Sequence, residues 1–539
     1  MRSSLTAPLS RRSLVRGTLA ATLGLGLASV LPAGLAPQAA RAAESDGTFT
    51  MAISFMPSSL QPSSGGNDDQ TIVVRPVYEC LFQELDGDKI EYHLADRLDI
   101  SEDGLTYTIH IRDDANWSDG EPVTVDDILF NFDYSEAKYG YKTTTVNGEE
   151  ATFTKKDDKT LEVTLPSVYV YYIYTMCNWM PLPSHAFGGD PQKVIDNPGY
   201  FFTPDMVTSG AFTVEQINED SIVYAPRADY YGGELSIKKL VAKTIGSGST
   251  KQLAFENGEI SYMRVTTAED LAKYSADPNT YSVYSVSEAR LNYLQLNLEG
   301  PVMSTLGEDA RKALFLALNS QEIIDFAYGT DELATPANSP LTPDQYDYDP
   351  ECPGYVQDVE QAKQLAEASG LTGKTLTYIF NSDRPNMEQV AVVVQQQLQA
   401  IGVNLQIEGL DSTTFFNRFF YGAYKTDQGN TWDLGSNGWD SERGISGRQA
   451  YTYITSGQSR FMTGFSEELG QLATQANSNP DQAARKEQWK EIQQRFLDEC
   501  WEYPLTYTSY VMVSRKDVSG LDASPIIPEF SQFAAIKMA

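Results

Sequence analysis

One stretch of the chain, residues 101–134, constrains the fold more than any other. In its first part apolar residues alternate with polar ones, the period of a strand with one buried face, at Tyr107, Ile109 and Ile111. Asp119 and Gly120 then give a turn signal, because glycine adopts positive φ without steric cost. Thr124 and Asp127 have the spacing of a capping box, with Asp in place of the usual Glu, and mark the start of a helix. The stretch therefore predicts a strand, a turn and a capped helix, which is α/β structure.

The order of residues in this stretch is more specific than the elements that it predicts. An Asp-Gly pair at 103–104, a Tyr-Thr-x-x-x-Arg strand at 107–112 and a Trp-x-Asp-Gly-x-Pro-x-Thr-x-x-Asp run at 117–127 follow one another. This order resembles the signature segment of the peptide/nickel type of extracellular solute-binding protein, family 5, which includes oligopeptide- and dipeptide-binding proteins. Proteins of this family are the receptor components of ABC importers.

Further segments resemble the same family in the same order, at 208–212, 228–233, 255–260 and 311–319. The resemblance covers nearly all of the chain after residue 42. It implies an α/β fold of the type II periplasmic-binding-protein kind, with a two-lobed cleft and an extra inserted domain. After a predicted twin-arginine signal peptide at 1–42, the implied division is domain I at 43–85, 203–285 and 505–539, domain II at 86–202, and domain III, the second lobe, at 286–504.

The beginning of the chain has the composition of a targeting segment, with five arginines and no acidic residue before residue 44. Residues 10–16 fit a twin-arginine signal, and the apolar run at 19–31 is shorter than the roughly 20 residues that span a bilayer. Small residues suited to a cleavage site stand at Ala40 and Ala42. We expect a mature chain from Ala43, with an uncleaved anchor as the alternative. No cysteine precedes Cys80, so we expect an exported protein, in the periplasm, at the outer face of the cell envelope or secreted, without a lipid anchor.

The charge balance excludes several partners. Acidic residues outnumber basic ones, 73 to 40, for a formal net charge of −33 at pH 7. Such a surface repels nucleic acid and anionic membranes. The chain has 3 histidines and no GxSxG, HExxH or Cys/His metal spacing, so we expect no catalytic residues, no metal site and no cofactor. The alternative class is a secreted hydrolase with paired carboxylates, which spacing does not reveal.

Residues 368–375 satisfy a loose phosphate-loop pattern, but their surroundings have the wrong order. A phosphate loop needs a strand before it and a helix after it, so that helix amides hold the phosphate. Here a predicted helix, 359–370, comes first and a predicted strand, 375–380, comes second. Nucleotide binding is therefore not expected. A helix at 387–400 and a strand at 403–407 follow, which makes this run an αβαβ unit.

Other elements of the second half have clear stop signals. One long helix is predicted at 309–329, where a glycine ends it. Another is predicted at 482–503, stopped by Pro504 and followed by a strand at 507–514. The four cysteines are far apart in the sequence, and both disulfides and isolated thiols remain open for them.

The segment 433–444, DLGSNGWDSERG, is the first candidate for ligand contact. It resembles the family's segment in which a Trp is followed by an Asp near the ligand, and in peptide-binding members that carboxylate receives the α-ammonium group. The resemblance implies this role for Asp440, with Glu442 as the fallback because the family commonly places its Asp two or three residues after the Trp. Trp439 would supply a flat wall, and Asn437 stands beside it. The alternative is an exposed acidic loop with a packed Trp.

Two aromatic residues elsewhere are further candidates for ligand contact. Phe55 ends the first predicted strand, and Tyr171 belongs to the tyrosine-rich run 169–174. Such a run could line an aromatic pocket. The alternative is a helix face in the core with hydroxyls at its rim.

These features together predict a binding protein. We expect two lobes that close on a small solute, most of all an oligopeptide, hold it without covalent change and present it to an ABC transporter permease. We expect the protein to act as a monomer. A receptor for a metal chelate, heme or sugar is the alternative within the family, and a secreted hydrolase is the alternative outside it.

Overall fold

Strands and helices alternate along the chain in the computed structural model. It describes residues 46–62, 68–84, 90–140, 145–146, 148–177, 179–246, 248–421, 431–439, 466–500, 502–523 and 530–539. The strands are β1 (Thr48–Ile53), β2 (Phe82–Glu84), β3 (Ile90–Tyr92), β4 (Ala95–Ile100), β5 (Thr106–Ile111), β6 (Thr145–Val146), β7 (Glu149–Glu150), β8 (Thr152–Lys155), β9 (Thr160–Thr164), β10 (Phe212–Ile217), β11 (Ser221–Pro226), β12 (Lys239–Thr244), β13 (Tyr262–Val265), β14 (Tyr281–Leu296), β15 (Ala334–Pro336), β16 (Thr375–Asn381), β17 (Asn404–Leu410), β18 (Leu434–Trp439), β19 (Glu502–Arg515), β20 (Val518–Ser519) and β21 (Lys537–Met538).

The helices are distributed between these strands. They are α1 (Asp68–Val74), α2 (Val125–Tyr139), α3 (Tyr172–Cys177), α4 (Pro191–Asp196), α5 (Gly248–Asn257), α6 (Ala268–Ser275), α7 (Glu308–Leu316), α8 (Ser320–Ala327), α9 (Val359–Ala368), α10 (Met387–Gln399), α11 (Ser412–Phe416), α12 (Glu467–Asn477) and α13 (Gln482–Asp498). Within the described residues, no helix has both the length and the apolar character needed to span a membrane.

Three sheets organise most of the strands. One has the order β1-β12-β11-β10, with β1 parallel to β12, and a second, antiparallel sheet has the order β4-β5-β9-β8. The largest sheet has the order β13-β19-β14-β18-β16-β17, with β15 beside β19. In it β16 pairs in parallel with both β17 and β18, and α10 connects β16 to β17. The predicted α/β class and the αβαβ run formed by α9, β16, α10 and β17 are thus confirmed.

The segment 101–134 folds as predicted, and Asp127 has a larger role than a helix cap. Its Oδ2 accepts hydrogen bonds from the Thr124 N–H at 2.9 Å and from Trp117 Nε1 at 3.2 Å. Its Oδ1 accepts from the Ser184 N–H at 2.9 Å and from the Ser184 hydroxyl at 2.7 Å. This buried carboxylate therefore ties the strand–turn–helix unit to a segment that lies farther along the chain.

Two large apolar clusters form the interior. Core A comprises the buried apolar residues of 49–242, with Tyr262, Tyr510, Met512 and residues of 518–536. Core B comprises most buried apolar residues of 245–405, with Leu434 and residues of 500–513. A smaller cluster, core C, packs α12 and α13 together and consists of Leu341, Cys352, Leu469, Ala473, Ala476, Trp489, Ile492, Phe496 and Leu497.

The paired strands β14 and β19 are shared by cores A and B. On β19, Tyr510 and Met512 enter core A, whereas Val511 and Val513, on the opposite face, enter core B. Side chains of a strand alternate between the two faces of its sheet, which explains this division. The two strands therefore contribute side chains to both cores and join them covalently.

Two predicted helices have wrong bounds, and the first strand ends at Ile53 rather than at Phe55. The helix predicted at 309–329 is divided into α7 and α8, because the Asn319 side chain accepts a hydrogen bond from the Glu322 N–H at 3.2 Å and caps a new helix. The helix predicted at 482–503 ends at Asp498, and Pro504 does not precede a strand but lies within β19. It stands beside the bulge at which the β14–β19 register shifts between Asn292 and Tyr293, where a missing N–H is tolerated.

The four cysteines all lie within the described residues and are buried. They are Cys80, Cys177, Cys352 and Cys500, and they form no disulfide bond. Of the two possibilities that the sequence left open, the structure has isolated thiols.

Candidate ligand-binding site

The candidates of the segment 433–444 lie at the end of β18. Asn437 is buried opposite Tyr293 of β14, and its Oδ1 has no hydrogen-bond partner among the described residues. Trp439 is the last residue of the strand, and its side chain lies outside the described part of the chain. Asp440 and Glu442 also lie outside the described residues.

The two aromatic candidates lie in different surroundings. The side chain of Phe55 is 48% exposed, just after β1. Tyr171 is buried and donates a hydrogen bond from its hydroxyl to Asp347 Oδ2. Arg485 of α13 lies 3.3 Å from the same oxygen through Nε, and its Cζ is 5.7 Å from the centre of the Tyr171 ring. Tyr171 thus fastens a core A segment to α13.

A cavity of about 50 Å³ lies where β13, β14 and β19 meet the start of α10. Its walls are formed by Arg264, Val265, Thr266, Glu288, Arg290, Asn292, Tyr328, Leu333, Arg384, Pro385, Asn386, Met387, Thr508 and Ser509. Three of these side chains are arginines and one is a glutamate. A single water molecule needs a cavity of at least about 10 Å³. The cavity is therefore large enough for the end group of a ligand, such as a carboxylate, but not for a whole peptide.

Glu288 organises part of this wall. Its Oε2 accepts from Arg264 Nη2 at 2.9 Å and from the Thr508 hydroxyl at 2.7 Å, while Arg290 Nη1 lies 3.8 Å from Oε1. Arg290 Nε also donates to Asn292 Oδ1 at 3.1 Å. Three guanidinium groups and one carboxylate thus line the cavity, in a chain whose formal net charge is −33.

The bulge in β14 places these side chains. The β14–β19 register shifts between Ser287 and Arg290, and Ala289 adopts φ +47°, which is uncommon for a residue with a Cβ. Bulges redirect side chains and bend a strand. The bulge therefore turns Glu288 and Arg290 toward the cavity at the point where the two cores share their strands.

The start of α10 adds positive potential to the same cavity. Arg384 and Pro385 lie in the turn between β16 and α10, and Asn386 enters the helix with φ +64°. The Asn386 side chain donates to the Thr266 carbonyl at 3.3 Å, which fixes this turn against β13. The amide end of a helix favours anions. Burial raises the pKa of Tyr328, so its phenol stays neutral beside the arginines.

The end of β18 borders this cavity. Gly438 pairs with Asn292, and a Cβ at Gly438 would overlap the side chains of Asn292 and Arg290. A residue with a Cβ here would force the Arg290 guanidinium group or the Asn292 side chain to move, because the backbone approaches both so closely. The segment 433–444 therefore runs beside the arginine-lined cavity, and Asp440 and Glu442 follow in the sequence directly after the strand that borders it.

The sequence analysis did not identify Arg264, Arg290 or Arg384 as candidate site residues. Arg384 had a local signal, because an Arg-Pro-Asn turn at the carboxyl end of a strand and the start of a helix is a common place for ligand contacts. Arg264 and Arg290 have no such signal, since they lie within strands and are brought together by pairing across more than 200 residues of sequence.

Comparison with known proteins gives a consistent result. Residues 89–460 match the family described as bacterial extracellular solute-binding proteins, family 5. Among curated proteins, the probable D,D-dipeptide-binding periplasmic protein DdpA of Escherichia coli (strain K12) is 23% identical over 497 residues, which cover 88% of this chain and 91% of that protein.

Two solved structures have the same fold. The ABC transporter substrate-binding protein CtaP of Listeria monocytogenes superposes with a TM-score of 0.80 at 24% identity, covering 91% of this chain and 99% of the other. The putative peptide-binding protein AppA of Clostridium difficile superposes with a TM-score of 0.78 at 27% identity, covering 91% of this chain and 100% of the other. The predicted periplasmic-binding-protein fold is confirmed, and the chain belongs to family 5 of the bacterial extracellular solute-binding proteins.

Proposed function

We propose that this protein captures an oligopeptide and delivers it unaltered to the permease of an ABC importer. The family is one of substrate-binding proteins, and the similar proteins from Escherichia coli and Clostridium difficile carry dipeptide- and peptide-binding names. The observation that carries the proposal is the arginine-lined cavity at the strands shared by cores A and B. Binding without turnover requires only that such a site hold charged end groups away from water.

The cavity receives the carboxylate end of the peptide. Arg384, Arg290 and Arg264 offer planar donor groups that match a carboxylate, and the start of α10 adds favourable potential. A hydrogen bond to a charged group contributes about 1.5–3 kcal/mol, or roughly tenfold to a hundredfold in affinity. The small volume fits a terminal group, so the remainder of the peptide extends out of the cavity.

The α-ammonium end is assigned to the segment that follows β18. Asp440 is its first partner and Glu442 the fallback, with Trp439 as a flat wall beside them. Asn437 lies in the strand that leads there, and its buried Oδ1 has no partner in the part of the chain that the structure describes. Phe55 is exposed enough to contact a ligand side chain. We assign Tyr171 to holding the lobes together through Asp347.

The setting of this activity follows from the targeting segment. Residues 1–42 direct export through a twin-arginine signal, and the mature chain from Ala43 acts as a monomer without a lipid anchor, in the periplasm or at the cell exterior. Domain I consists of 43–85, 203–285 and 505–539, domain II of 86–202 and domain III of 286–504. On this division β14 and most of β19 lie near the boundaries, where hinges between lobes belong.

The test is calorimetric titration with a synthetic tetrapeptide library and then with its best member. C-terminal amidation of that peptide and Arg384→Met should each weaken binding tenfold or more. Amidation should matter little in the Arg384→Met variant, because the two changes remove the same contact. The control is Arg97→Met, since Arg97 is 57% exposed and lies outside the cavity.

The ammonium end is tested separately. N-acetylation of the peptide and Asp440→Asn should weaken binding, and Glu442→Gln should have the smaller effect. If no member of the library binds, or if the protein hydrolyses them, the proposal fails. Binding that is equal for free and amidated peptides would remove the carboxylate role from the cavity.

A further inference from the structure

A second site lies apart from the cavity, beside the hairpin of β2 and β3. Glu79 and Cys80 precede β2 and His93 follows β3, and one ligand-type atom of each lies within 4.8 Å of the others. All three residues are buried. Backbone hydrogen bonds hold the two segments in register, from the His93 N–H to the Leu81 carbonyl and from the Leu94 N–H to the Cys80 carbonyl, both at 3.1 Å.

The spacing of these atoms suits a metal ion. Glu79 Oε1 lies 3.3 Å from His93 Nδ1 and 3.9 Å from Cys80 Sγ. In a tetrahedral zinc site, with bonds of about 2.0–2.1 Å to nitrogen and oxygen and about 2.3 Å to sulfur, neighbouring ligand atoms stand about 3.3–3.5 Å apart. The observed separations need only a small contraction to surround an ion.

The surrounding groups are arranged as in a metal site. The other ring nitrogen of His93, Nε2, lies 3.6 Å from Glu91 Oε2, and within the described residues neither of these buried atoms makes a shorter hydrogen bond. A histidine that ligates metal usually donates its second N–H to a carboxylate, which fixes the ring and its tautomer. Glu79 Oε2 accepts a hydrogen bond from the Tyr230 hydroxyl at 3.1 Å, and Glu79 Oε1 accepts one from the Cys80 N–H at 3.3 Å while it faces His93 and the Cys80 thiol.

We propose that Glu79, Cys80 and His93 form a binding site for a divalent transition-metal ion, with Zn²⁺ as the ion that this ligand set favours. Glu91 positions His93, and Tyr230 positions Glu79. Sulfur, imidazole and carboxylate are the ligands that zinc takes in proteins, and a fourth position remains for water or the Gln83 side chain, whose Oε1 lies 3.5 Å from Cys80 Sγ.

The charges near the site are consistent with a divalent ion. Arg75 donates to Gln83 Oε1 at 3.1 Å and supplies one positive charge against the carboxylates of Glu79 and Glu91. A bound metal ion would displace the proton of the Cys80 thiol and take the thiolate as its ligand. With Cys80 as thiolate, the three negative groups and Arg75 sum to −2, which one Zn²⁺ neutralises.

The test uses the whole chain, unfolded in guanidinium with a chelator and refolded with Co²⁺ or Zn²⁺ so that access to the buried site does not limit binding. After desalting, about one Co²⁺ per chain is expected, with the near-ultraviolet absorption of a thiolate–cobalt bond. Zn²⁺ should raise the unfolding temperature. A native chain that retains no metal, or retains it without the thiolate absorption, overturns the proposal.

Single substitutions distinguish metal binding at the proposed ligands from binding of the cation to acidic residues elsewhere on the protein. Cys80→Ser should abolish the thiolate absorption and His93→Gln should reduce metal content, while Glu91→Gln should weaken binding tenfold to a hundredfold. Cys352→Ser, another buried thiol, should behave as the unaltered chain. Circular dichroism checks that each variant folds. Thiolate absorption that persists in Cys80→Ser and is lost in Cys352→Ser would place the ion elsewhere and reject the proposed ligands.

Discussion

Gly438 of β18 packs directly against the side chain of Arg290 of β14, so that a Cβ at position 438 would lie 2.5 Å from Arg290 Nε. The guanidinium group of Arg290 is thereby held between β18 and Glu288. This contact joins the segment that carries the predicted ammonium site to the cavity proposed for the carboxylate end.

Gly438→Ala should therefore displace Arg290 and weaken peptide binding tenfold or more, about 1.4 kcal/mol. Calorimetry with the best peptide of the library measures this. Gly199→Ala is the control, because no atom lies within 4 Å of a Cβ built there. An unchanged affinity in Gly438→Ala would show that the position of Arg290 is not needed for binding.

Asp127→Ala should lower the free energy of unfolding by about 3 kcal/mol, because it leaves the buried Trp117 indole, the half-buried donors of Ser184 and the helix start without an acceptor. Urea denaturation gives the value. The neighbouring Asp126→Ala removes only an exposed pair with Lys155 and should cost less than about 1 kcal/mol. Equal losses for the two variants would contradict the role given to Asp127.

Asp347→Ala should destabilise the protein by about 3 kcal/mol, since Arg485 would keep a buried charge without its carboxylate. Tyr171→Phe removes one hydrogen bond to the same carboxylate and should cost about 1 kcal/mol. The two effects should not add, because both variants remove the same contact. Glu360→Ala, which breaks an exposed pair with Lys363, is the control and should change stability little. Additive losses in the double variant would disprove the coupling.

The protonation of Glu502 should make the free energy of unfolding decrease as pH rises. Burial raises its pKa from 4.5 to about 8, so the folded chain binds a proton more strongly than the unfolded chain. The stabilisation from this proton is fully present below pH 4.5 and is lost as pH rises through 8. Between these two values the free energy of unfolding falls by about 1.4 kcal/mol per pH unit. Glu502→Gln should therefore gain stability relative to the unaltered chain between pH 5 and pH 8, as measured by urea denaturation. The exposed Glu367→Gln should show no such trend, and parallel curves for both variants would refute the prediction.

Local patterns accounted for much of the fold. Alternation predicted β5, the spacing of Thr124 and Asp127 predicted the start of α2, and the order helix then strand at 359–381 excluded a phosphate loop. Each of these depends on residues close in sequence. Asn319 was overlooked as a cap within a helical pattern, and Pro504 was interpreted as a stop because the bulge that accommodates it involves a distant strand.

Fewer residues of the candidate site than of the fold could be predicted from the sequence. Asn437 and Trp439 were located by resemblance, and the structure places their strand beside the cavity. Arg264 and Arg290 converge only because β13, β19 and β14 pair, which no local pattern indicates. Asp440 and Glu442 lie outside the described residues, and their role stays a prediction.

The sharing of β19 by both cores has a consequence for biosynthesis. β19 begins at residue 502 of 539, yet it pairs with β13, β14 and β15, which are complete by residue 336. The central sheet cannot close until residues 502–515 have left the ribosome, long after β13, β14 and β15, and such distant pairings are slow to form. During synthesis these earlier strands therefore stay without β19, and a truncation before residue 502 should yield insoluble protein rather than a smaller folded lobe.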